Sequence, residues 1–381
     1  MKRIFIVSLS QIDRDPRVLR QIQFLETSYS ITVAGLTNPN IKGVKFIEID
    51  LGPSVGVFTK LWNLVLTFFG LFDYLYWKQP NIKKIKRSLI NLVEDHPDIV
   101  IGNDAQILPL AVSLSKKWNA TLVMDLHEYA PLELEDILKW RLRYKRYYYY
   151  LLKKYLPKSD FVMTVCGGIQ QKILEEFNVK SEVLTNAPYF EELTPSEIDS
   201  DRIRIVHHGG AMRSRNLHLM IDMMKRLDNR FELNLILMDS DVGYLDELKE
   251  MSKNNPRIIF HNLVPTKEIS SYINQFDIGI CVVPPINFNY AVGLPNKFFE
   301  FIQARLYLAV GPSVEMETLT IQHDLGIVSQ AFTAESMASK LNDLSLEDIM
   351  RYKNNSHSAA PLLSANKNKE LFLSIINNCN S

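Results

Sequence analysis

Short apolar runs alternate with amphipathic stretches along the first half of the chain. The apolar runs predict strands, and apolar positions three or four residues apart in the stretches between them predict helices. The predicted strands are Arg3–Ser8, Ser30–Leu36, Ile99–Gly102, Ala120–Asp125 and Phe161–Val165. The predicted helices are Arg17–Glu26, Gln106–Trp118 and Gly168–Phe177. Alternation of this kind indicates βαβ units and a mainly parallel sheet whose apolar strands are covered on both faces.

The same alternation begins again after Glu191–Ser200, a polar and acidic stretch that fits a linker. The strands predicted after it are Ile203–His207, Glu232–Met238, Arg257–His261, Ile278–Val283 and Tyr307–Gly311. The helices predicted after it are Leu217–Leu227, Tyr244–Lys253, Lys267–Gln275 and Asn296–Ala304. The sequence therefore predicts an α/β protein with two doubly wound, Rossmann-like domains, 1–190 and 191–365, and a C-terminal helix within 366–381 that returns toward the first domain. Because ligands of such sheets bind beyond the carboxyl ends of the strands, we expect the site in a central cleft that both domains face.

Length and composition agree with two soluble domains. The 381 residues exceed what one hydrophobic core usually holds, and 46% hydrophobic with 23% charged residues is ordinary for a globular protein. Three scattered cysteines, without a CxxC pair, favour a reducing cytoplasm over a disulfide framework or a structural zinc site. The apolar N-terminal run is too short for a signal peptide. The most apolar window, Val55–Trp77, is interrupted by Lys60 and Asp73, so we expect no membrane-spanning helix.

The net charge of zero conceals a basic first half and an acidic second half. Residues 1–190 hold 25 Lys and Arg against 19 Asp and Glu, a net charge of +6, and residues 191–381 hold 18 against 24, a net charge of −6. The segment Lys139–Lys158 contains eight basic residues, seven aromatic residues and no acid. This composition suits an anionic membrane surface, and the alternative is a packed helix with a solvated basic face. No RNA-binding motif accompanies the segment, so we expect no nucleic-acid partner.

A phosphate-binding loop is predicted directly after the first strand of the second domain, in the sequence HHGGAMRSRN. Gly209 and Gly210 allow the backbone to approach a ligand closely, and the following helix offers the positive end of its dipole. Arg213 and Arg215 add guanidinium groups, which match phosphate oxygens. The alternative is an ordinary turn with two solvated arginines. A dehydrogenase is disfavoured because the GxGxxG pattern is absent.

A second group of candidate residues lies in the sequence GLPNKFFE, which follows a later strand of the same domain. We expect Asn296 to cap the next helix, and Lys297 to lie in its first turn, where a lysine is favourable only beside an anion. Glu300 follows three residues later on the same face and can bind a ribose diol. The alternative is a surface Lys–Glu pair.

Polar residues also follow the strands of the first domain. His127 and Glu128 end the sequence DLHE, and Asn103 and Asp104 end the neighbouring predicted strand. We expect these four residues at the ligand-binding edge, although a lone histidine is more often structural. The loop after the first strand brings Asp13 and Arg14 to the same edge, where it either binds an acceptor or forms an ordinary connection.

These motifs together resemble the family-four-like glycosyltransferases of the GT-B fold, over most of the chain. The resemblance rests on five sequence segments that occur in the expected order, namely DPRV at 15–18, DLHE at 125–128, GGAMRSRN at 209–216, LVP at 263–265 and GLPNKFFE at 293–300. It implies a retaining hexosyltransferase in which His127 lies near the donor sugar. It also implies that Arg213, Arg215 and Lys297 stabilise the departing diphosphate, while Val264 and Pro265 lie beside the nucleobase and Glu300 holds the ribose.

Two positions depart from that family's pattern. Val292 stands where the family has the first of two glutamates, and Gly209-Gly210 stands where it has Gly-Arg. Arg215 matches the usual lysine, and we expect Arg213 to replace the lost arginine. The departures leave the donor sugar open.

The expected function is transfer of a sugar from a nucleotide-sugar donor to a glycan or polyprenol-linked acceptor, in cell-envelope or exopolysaccharide synthesis. We expect no cofactor and no metal, because no Asp-x-Asp motif lies at the expected place. We expect the protein in the cytoplasm or at the inner face of the plasma membrane. Two alternatives stay open: a nucleotide-sugar epimerase on the same fold, and a degenerate, non-catalytic transferase that acts as a binding subunit.

Overall fold

A computed structural model describes residues 1–52 and 56–379 of the protein. Val55, where the apolar window begins, lies outside the described residues, as do the last two residues of the chain. The described chain divides into two compact units. The first unit comprises residues 1–184, 287–289 and 369–381, and the second comprises 185–286 and 290–368. The domain limits expected from the sequence, 1–190, 191–365 and 366–381, stay predictions.

Parallel strands form one sheet in the first unit. Its strands are β1 (Arg3–Val7), β2 (Ser30–Gly35), β3 (Lys45–Glu48), β4 (Ile99–Asn103), β5 (Thr121–Leu126), β6 (Phe161–Thr164) and β7 (Glu182–Val183). Their order is β3-β2-β1-β4-β5-β6-β7, and every pair is parallel. The strand order therefore reverses between β1 and β4, which is where a doubly wound sheet opens a crevice at the carboxyl ends of its strands.

The helices that accompany this sheet are α1 (Pro16–Leu25), α2 (Val57–Phe68), α3 (Phe72–Lys78), α4 (Pro80–Leu92), α5 (Leu108–Trp118), α6 (Lys145–Tyr155) and α7 (Gly167–Phe177). The start of α1 is defined by Asp15, whose carboxylate accepts hydrogen bonds from the backbone N–H groups of Arg17 (3.1 Å) and Val18 (3.2 Å). Pro16 occupies the first helical position, where the missing N–H costs nothing.

The sheet of the second unit repeats this topology. Its strands are β8 (Ile203–Ala211), β9 (Phe231–Asp239), β10 (Ile258–Phe260), β11 (Ile278–Cys281), β12 (Tyr307–Val310) and β13 (Gly326–Val328). They pair in parallel in the order β10-β9-β8-β11-β12-β13, so the reversal falls between β8 and β11.

The remaining helices are α8 (His218–Met224), α9 (Tyr244–Ser252), α10 (Ile269–Ile273), α11 (Phe288–Val292), α12 (Asn296–Gln303), α13 (Val314–Gln322), α14 (Ala334–Asn342), α15 (Leu346–Ala359) and α16 (Ala365–Asn378). The end of α16 belongs to the first unit. There the ring of Phe372 packs against Phe24 of α1 with 5.7 Å between centroids, and the Tyr29 hydroxyl donates to Asn377 (3.0 Å).

The structure confirms the prediction of two doubly wound parallel sheets and corrects several element limits. Three short strands, β3, β7 and β13, were not predicted, because two to four residues at a sheet edge carry little periodicity. The predicted strand Ile203–His207 extends to Ala211, since β8 pairs with β9 as far as Asp239. The predicted phosphate-binding loop therefore begins inside a strand, with Gly209 and Gly210 in the ladder.

The apolar window forms two separate helices, α2 and α3, instead of one long helix. No helix among the described residues has the length and apolar character that crossing a membrane requires.

Candidate functional site

A cavity of about 500 Å³ lies at the carboxyl end of the second unit's sheet, beside the reversal of strand order. The ends of β8 and β9 form its floor, and the segment after β10 and the start of α12 form its walls. The predicted donor residues that line it are Gly209, Gly210, Arg215, Val264, Asn296, Lys297 and Glu300. Its volume is within the range of small-molecule sites.

Two cations converge on the backbone of Gly209 inside this cavity. Gly209 has φ = +119°, a conformation that side chains rarely adopt. A Cβ placed on it would lie 3.4 Å from Nζ of Lys297 and 3.5 Å from a terminal nitrogen of Arg215. Both cations therefore lie within 3.5 Å of one position, and glycine leaves that position open for a ligand.

Neither cation is neutralised by a carboxylate in the hydrogen bonds that the structure describes. The Arg215 guanidinium donates to the carbonyl oxygen of Gly210 (3.2 Å). The Lys297 ammonium donates to Nε2 of His207 (2.9 Å), and Nδ1 of His207 bonds the carbonyl oxygen of Ile280 (2.8 Å). Because the carbonyl can only accept, Nδ1 carries the proton and Nε2 is left as the acceptor for Lys297.

Burial shifts the proton affinities of this group. It lowers the pKa of Lys297 to about 8, and the positive charge of Arg215 acts in the same direction. Burial and the charge of Lys297 hold the pKa of His207 well below its usual range. Burial, and then the charges of Lys297 and Arg215, lower the pKa of His208 to about 3. At pH 7 both imidazoles are therefore neutral, and the cavity holds two cations, Arg215 and Lys297, with one carboxylate, Glu300, acting on Lys297.

Glu300 lies one helical turn beyond Lys297 and faces the same cavity. It is only 7% exposed, and its Oε2 lies 3.4 Å from Nε2 of His208. Leu263, from the LVP segment singled out in the sequence, also lines the cavity, and three apolar residues that were not predicted complete the wall: Ile236, Met238 and Ile269. A carboxylate beside an apolar wall can accept hydrogen bonds from a diol whose attached ring packs on that wall.

Three predicted features of the donor site are not found in this geometry. Arg213 does not line the cavity: its guanidinium pairs with Glu247 (2.6 Å) and stacks on the ring of Tyr244 at 4.9 Å. Pro265 also lies outside the lining, although Val264 beside it contributes. Asn296 is the first residue of α12 and makes no capping hydrogen bond, since the position before the helix is taken by Pro295.

In the first unit, His127 is held by residues from the end of the neighbouring strand. Its Nδ1 lies 3.4 Å from Oδ2 of Asp104, and its Nε2 lies 3.2 Å from Oδ1 of Asn103. The backbone N–H of His127 also donates to Asp104 (3.2 Å). The predicted residues Asn103, Asp104 and His127 thus come together, and the ring has a fixed orientation.

A buried polar network lies beneath this histidine and was not predicted from the sequence. The guanidinium of Arg17 makes two hydrogen bonds with Asp125 (2.6 and 2.7 Å), and Gln21 donates to Asp125 (2.6 Å) and Asn103 (2.9 Å). Burial alone would raise the pKa of Asp125, but the charge of Arg17 holds it below its usual range. The available signal was the spacing of Arg17 and Gln21, two polar residues four apart on the otherwise apolar face of α1.

A cavity of about 340 Å³ opens beside His127. Three carboxylates line it, from Asp104, Glu128 and Glu133. Partial desolvation by the cavity walls, and then repulsion from Glu133 and Asp104, raises the pKa of Glu128 to about 8, although its side chain still reaches solvent. We name this the acidic cavity.

Asp13 and Arg14 do not line the acidic cavity. Both are exposed, and Asp13 instead hydrogen-bonds Thr37. Among residues 1–52 and 56–379, no group of three or more His, Cys, Asp or Glu side chains is arranged to hold a metal ion.

No protein-family model matches this sequence, and comparison with curated proteins finds no match. Solved structures match over nearly the whole chain. Sucrose-phosphate synthase from Thermosynechococcus elongatus has a TM-score of 0.74 and 10% identity, with 99% of each chain covered. HepE from Anabaena, in a crystal structure with UDP and glucose, has a TM-score of 0.70 and 12% identity, with 99% of this chain and 100% of that chain covered.

A glycosyltransferase from Rickettsia africae has a TM-score of 0.70 and 16% identity, with 100% of this chain and 99% of that chain covered. These proteins are GT-B glycosyltransferases, so the predicted GT-B fold with two Rossmann-like domains is confirmed. At such low identities the likeness is one of fold.

Proposed function

We propose that this protein is a glycosyltransferase that binds a nucleotide-sugar in the cavity of the second unit. The observation that carries the proposal is the convergence of the Arg215 and Lys297 side chains on the open position over Gly209, so that two cations face one carboxylate, Glu300, in this cavity. A nucleoside diphosphate supplies the missing negative charge, and guanidinium and ammonium groups both bind phosphate oxygens. Support comes from HepE, a protein of the same fold whose structure holds UDP and glucose.

The remaining walls suit the other parts of such a donor. Glu300 would accept hydrogen bonds from the ribose hydroxyls, and Val264 with the apolar wall would contact the base. The first-unit residues His127 and Glu128 would act on the sugar and the acceptor hydroxyl. The resemblance in sequence implies this division of roles.

We propose transfer of a hexose with retention at the anomeric carbon. The acceptor hydroxyl attacks from the face that the diphosphate leaves, the bond from the anomeric carbon to the phosphate oxygen breaks, and the departing phosphate takes the proton. Arg215 and Lys297 stabilise the negative charge that develops on the diphosphate. His127 orients the donor sugar, since its ring is fixed by Asn103 and Asp104.

A peripheral membrane location, with a glycan or lipid-linked acceptor from cell-envelope or exopolysaccharide synthesis, fits the surface of the first unit. Phe58, Trp62 and Phe68 on α2 are 90%, 55% and 76% exposed. The basic segment Lys139–Lys158 approaches the same region, because Arg146 stacks over the ring of Phe72 at 6.0 Å. Exposed apolar side chains beside basic ones suit an anionic lipid surface. Sedimentation with anionic and with neutral vesicles tests this location, and equal binding to both would contradict it.

A ligand screen tests the proposed activity. Thermal unfolding is followed with UDP, GDP, TDP and their sugars, because a ligand that binds the folded state raises the apparent stability. Donors that bind are then incubated with lipid-linked and free glycan acceptors, and the products are identified. Transfer of the sugar is expected. Nucleotide binding without turnover across the panel would select a binding subunit, and an epimerised donor would select an epimerase.

A further inference from the structure

A second cavity of the first unit, about 220 Å³ in volume, has no role in the donor chemistry or at His127. Helices α2, α3 and α4 form one side, and residues at the start of α6 form the other. Its walls are mostly apolar and aromatic, with Leu75, Tyr76, Ile82, Tyr144, Tyr147 and Tyr148 among the lining residues. We name it the aromatic cavity.

One cation enters the lining of the aromatic cavity. Arg143 contributes its side chain there and stacks on the ring of Tyr144 at 5.2 Å. Within the described chain, no carboxylate lies within salt-bridge distance of Arg143. Side-chain amides of Asn63, Gln79 and Gln106 also line the space. An arginine among rings and amides matches a ligand that carries one anionic group on an apolar body.

The aromatic cavity adjoins the acidic cavity. Gln106 and Tyr148 line both of them, so the two spaces share a wall. The carboxyl groups of Asp104 and Glu133 disfavour an anion in the acidic cavity, and together with Glu128 they can form hydrogen bonds with sugar hydroxyls. A ligand that spans both cavities is therefore oriented, with its neutral sugar toward His127 and its anion toward Arg143.

The opposite side of the aromatic cavity leads to the exposed apolar face of α2. Asn63 and Thr67 of this helix line the cavity, while Trp62 and Phe68 beside them point to solvent. Three environments therefore lie side by side in the first unit: the carboxyl groups of the acidic cavity, a cation among aromatic rings, and an exposed apolar face.

We propose that the aromatic cavity binds the phosphate and the first apolar carbons of a lipid-linked sugar phosphate, which is the acceptor of the transfer. Arg143 binds the phosphate, the sugar extends into the acidic cavity, and the lipid chain continues along α2. This assignment rests on the proposed function, and it selects a lipid-linked acceptor over a free glycan.

The binding test uses decyl phosphate below its micelle concentration, with decanol and inorganic phosphate as partial ligands, measured by calorimetry on the full chain. Decyl phosphate should bind at least tenfold more tightly than either partial ligand. Arg143→Met keeps the apolar stem and removes the charge, so it should weaken decyl phosphate binding at least tenfold, and Arg143→Lys should recover part of it. Arg141→Ala removes an exposed cation two residues away and should change binding less than twofold. Equal losses in Arg143→Met and Arg141→Ala would show only general charge attraction and overturn the proposal.

Two further measurements distinguish this proposal from a failure of the proposed transferase function and from binding of a phospholipid headgroup. UDP affinity is measured on the same proteins: if UDP fails to bind while decyl phosphate binds through Arg143, the proposed transferase is wrong and the lipid-phosphate site stands. In transfer assays with a lipid-linked sugar phosphate, Arg143→Met should raise the KM for this acceptor at least tenfold with kcat changed less than threefold. If Arg143→Met instead abolishes binding to phosphatidylglycerol vesicles and leaves that KM unchanged, the cavity holds a phospholipid headgroup and the assignment to the acceptor is overturned.

Discussion

The Lys297 ammonium lies 2.9 Å from Nε2 of a buried, neutral His207, which accepts its hydrogen bond but carries no compensating charge. A buried lysine is usually neutralised by an acid, because an uncompensated charge in the interior is costly. Here the ammonium is aimed at the open position over Gly209, together with Arg215. The arrangement holds a positive charge ready for an anion that arrives with the substrate.

Loss of either cation in the donor cavity should impair transfer. Arg215→Ala and Lys297→Ala should each lower kcat/KM at least tenfold, since removing one preorganised donor typically costs about 3–4 kcal/mol of transition-state stabilisation. Arg213→Ala is the matched control on the same turn, because that guanidinium binds Glu247 outside the cavity, and it should change kcat/KM less than threefold. A larger loss of kcat/KM in Arg213→Ala than in Arg215→Ala would show that Arg213, and not Arg215, acts on the diphosphate.

Nucleotide affinity should fall at alkaline pH. The pKa of Lys297 is lowered by burial to about 8, so the free protein loses this proton as the pH rises through 8, and the bound diphosphate needs the ammonium. The Kd for UDP should be constant below pH 7 and should rise toward tenfold per pH unit above 8. Calorimetry from pH 6.5 to 9.5 measures it. Lys297→Arg keeps its charge throughout this range and should flatten the profile; the same steep rise in that variant would exclude Lys297 as its source.

His207 should act as a positioning residue for Lys297. His207→Phe fills a similar space without an acceptor for the ammonium, so the charged form of Lys297 loses a partner and its pKa falls further. UDP binding should weaken severalfold, and the midpoint of its pH profile should move below 8. A purely structural role for His207 would lower the thermal midpoint and leave the pH midpoint in place.

The buried pair of Arg17 and Asp125 should matter to the stability of the first unit. Arg17→Met leaves the Asp125 carboxylate buried without its partner, and breaking such a pair typically costs about 3–5 kcal/mol. Denaturant unfolding, followed by fluorescence, measures the loss. Arg14→Ala is the control, since Arg14 is exposed and its ion pair with Asp13 is 4.0 Å long; it should stay within about 0.5 kcal/mol of the original protein. Comparable losses in both variants would contradict this account.

His127 should affect turnover more than donor binding. His127→Asn removes the ring that Asn103 and Asp104 hold in place and should lower kcat at least tenfold. The Kd for UDP should change less than twofold, because the cations that bind the diphosphate belong to the second unit. Rapid-quench kinetics and calorimetry separate the two effects. An unchanged kcat in His127→Asn would show that His127 takes no part in turnover.

The sequence predicted the sheets well where strands are long and apolar. It predicted them less well where pairing with a neighbouring strand determines how far a strand extends. His208 and the two glycines after it have the composition of a loop, yet they lie in β8 because β9 supplies a partner strand through Asp239. This tertiary pairing overrides local preference, and no local pattern reveals it.

The candidate site shows the same limit at the level of side chains. Lys297 and Glu300, three residues apart on a helix, were correctly expected on one face, and both line the cavity. Arg213 and Arg215 are two apart on a tight 3₁₀ turn, where three residues complete one turn, so they point in different directions. The sequence could not tell which of them faces the ligand. Nor could it pair Arg17 with Asp125, which lie far apart along the chain.

The division of the chain also has a consequence for protein engineering. The second unit is an insertion within the first, since the first unit needs residues 1–184 and also 369–381, where Phe372 packs on Phe24. A chimera with a new donor half must therefore be spliced at two junctions, near 184 and near 368. It must also keep residues 287–289, because the Asn289 side chain accepts a hydrogen bond from the Tyr129 backbone N–H (2.9 Å) in the first unit. Swaps made at a single crossover would leave one half without its closing helix.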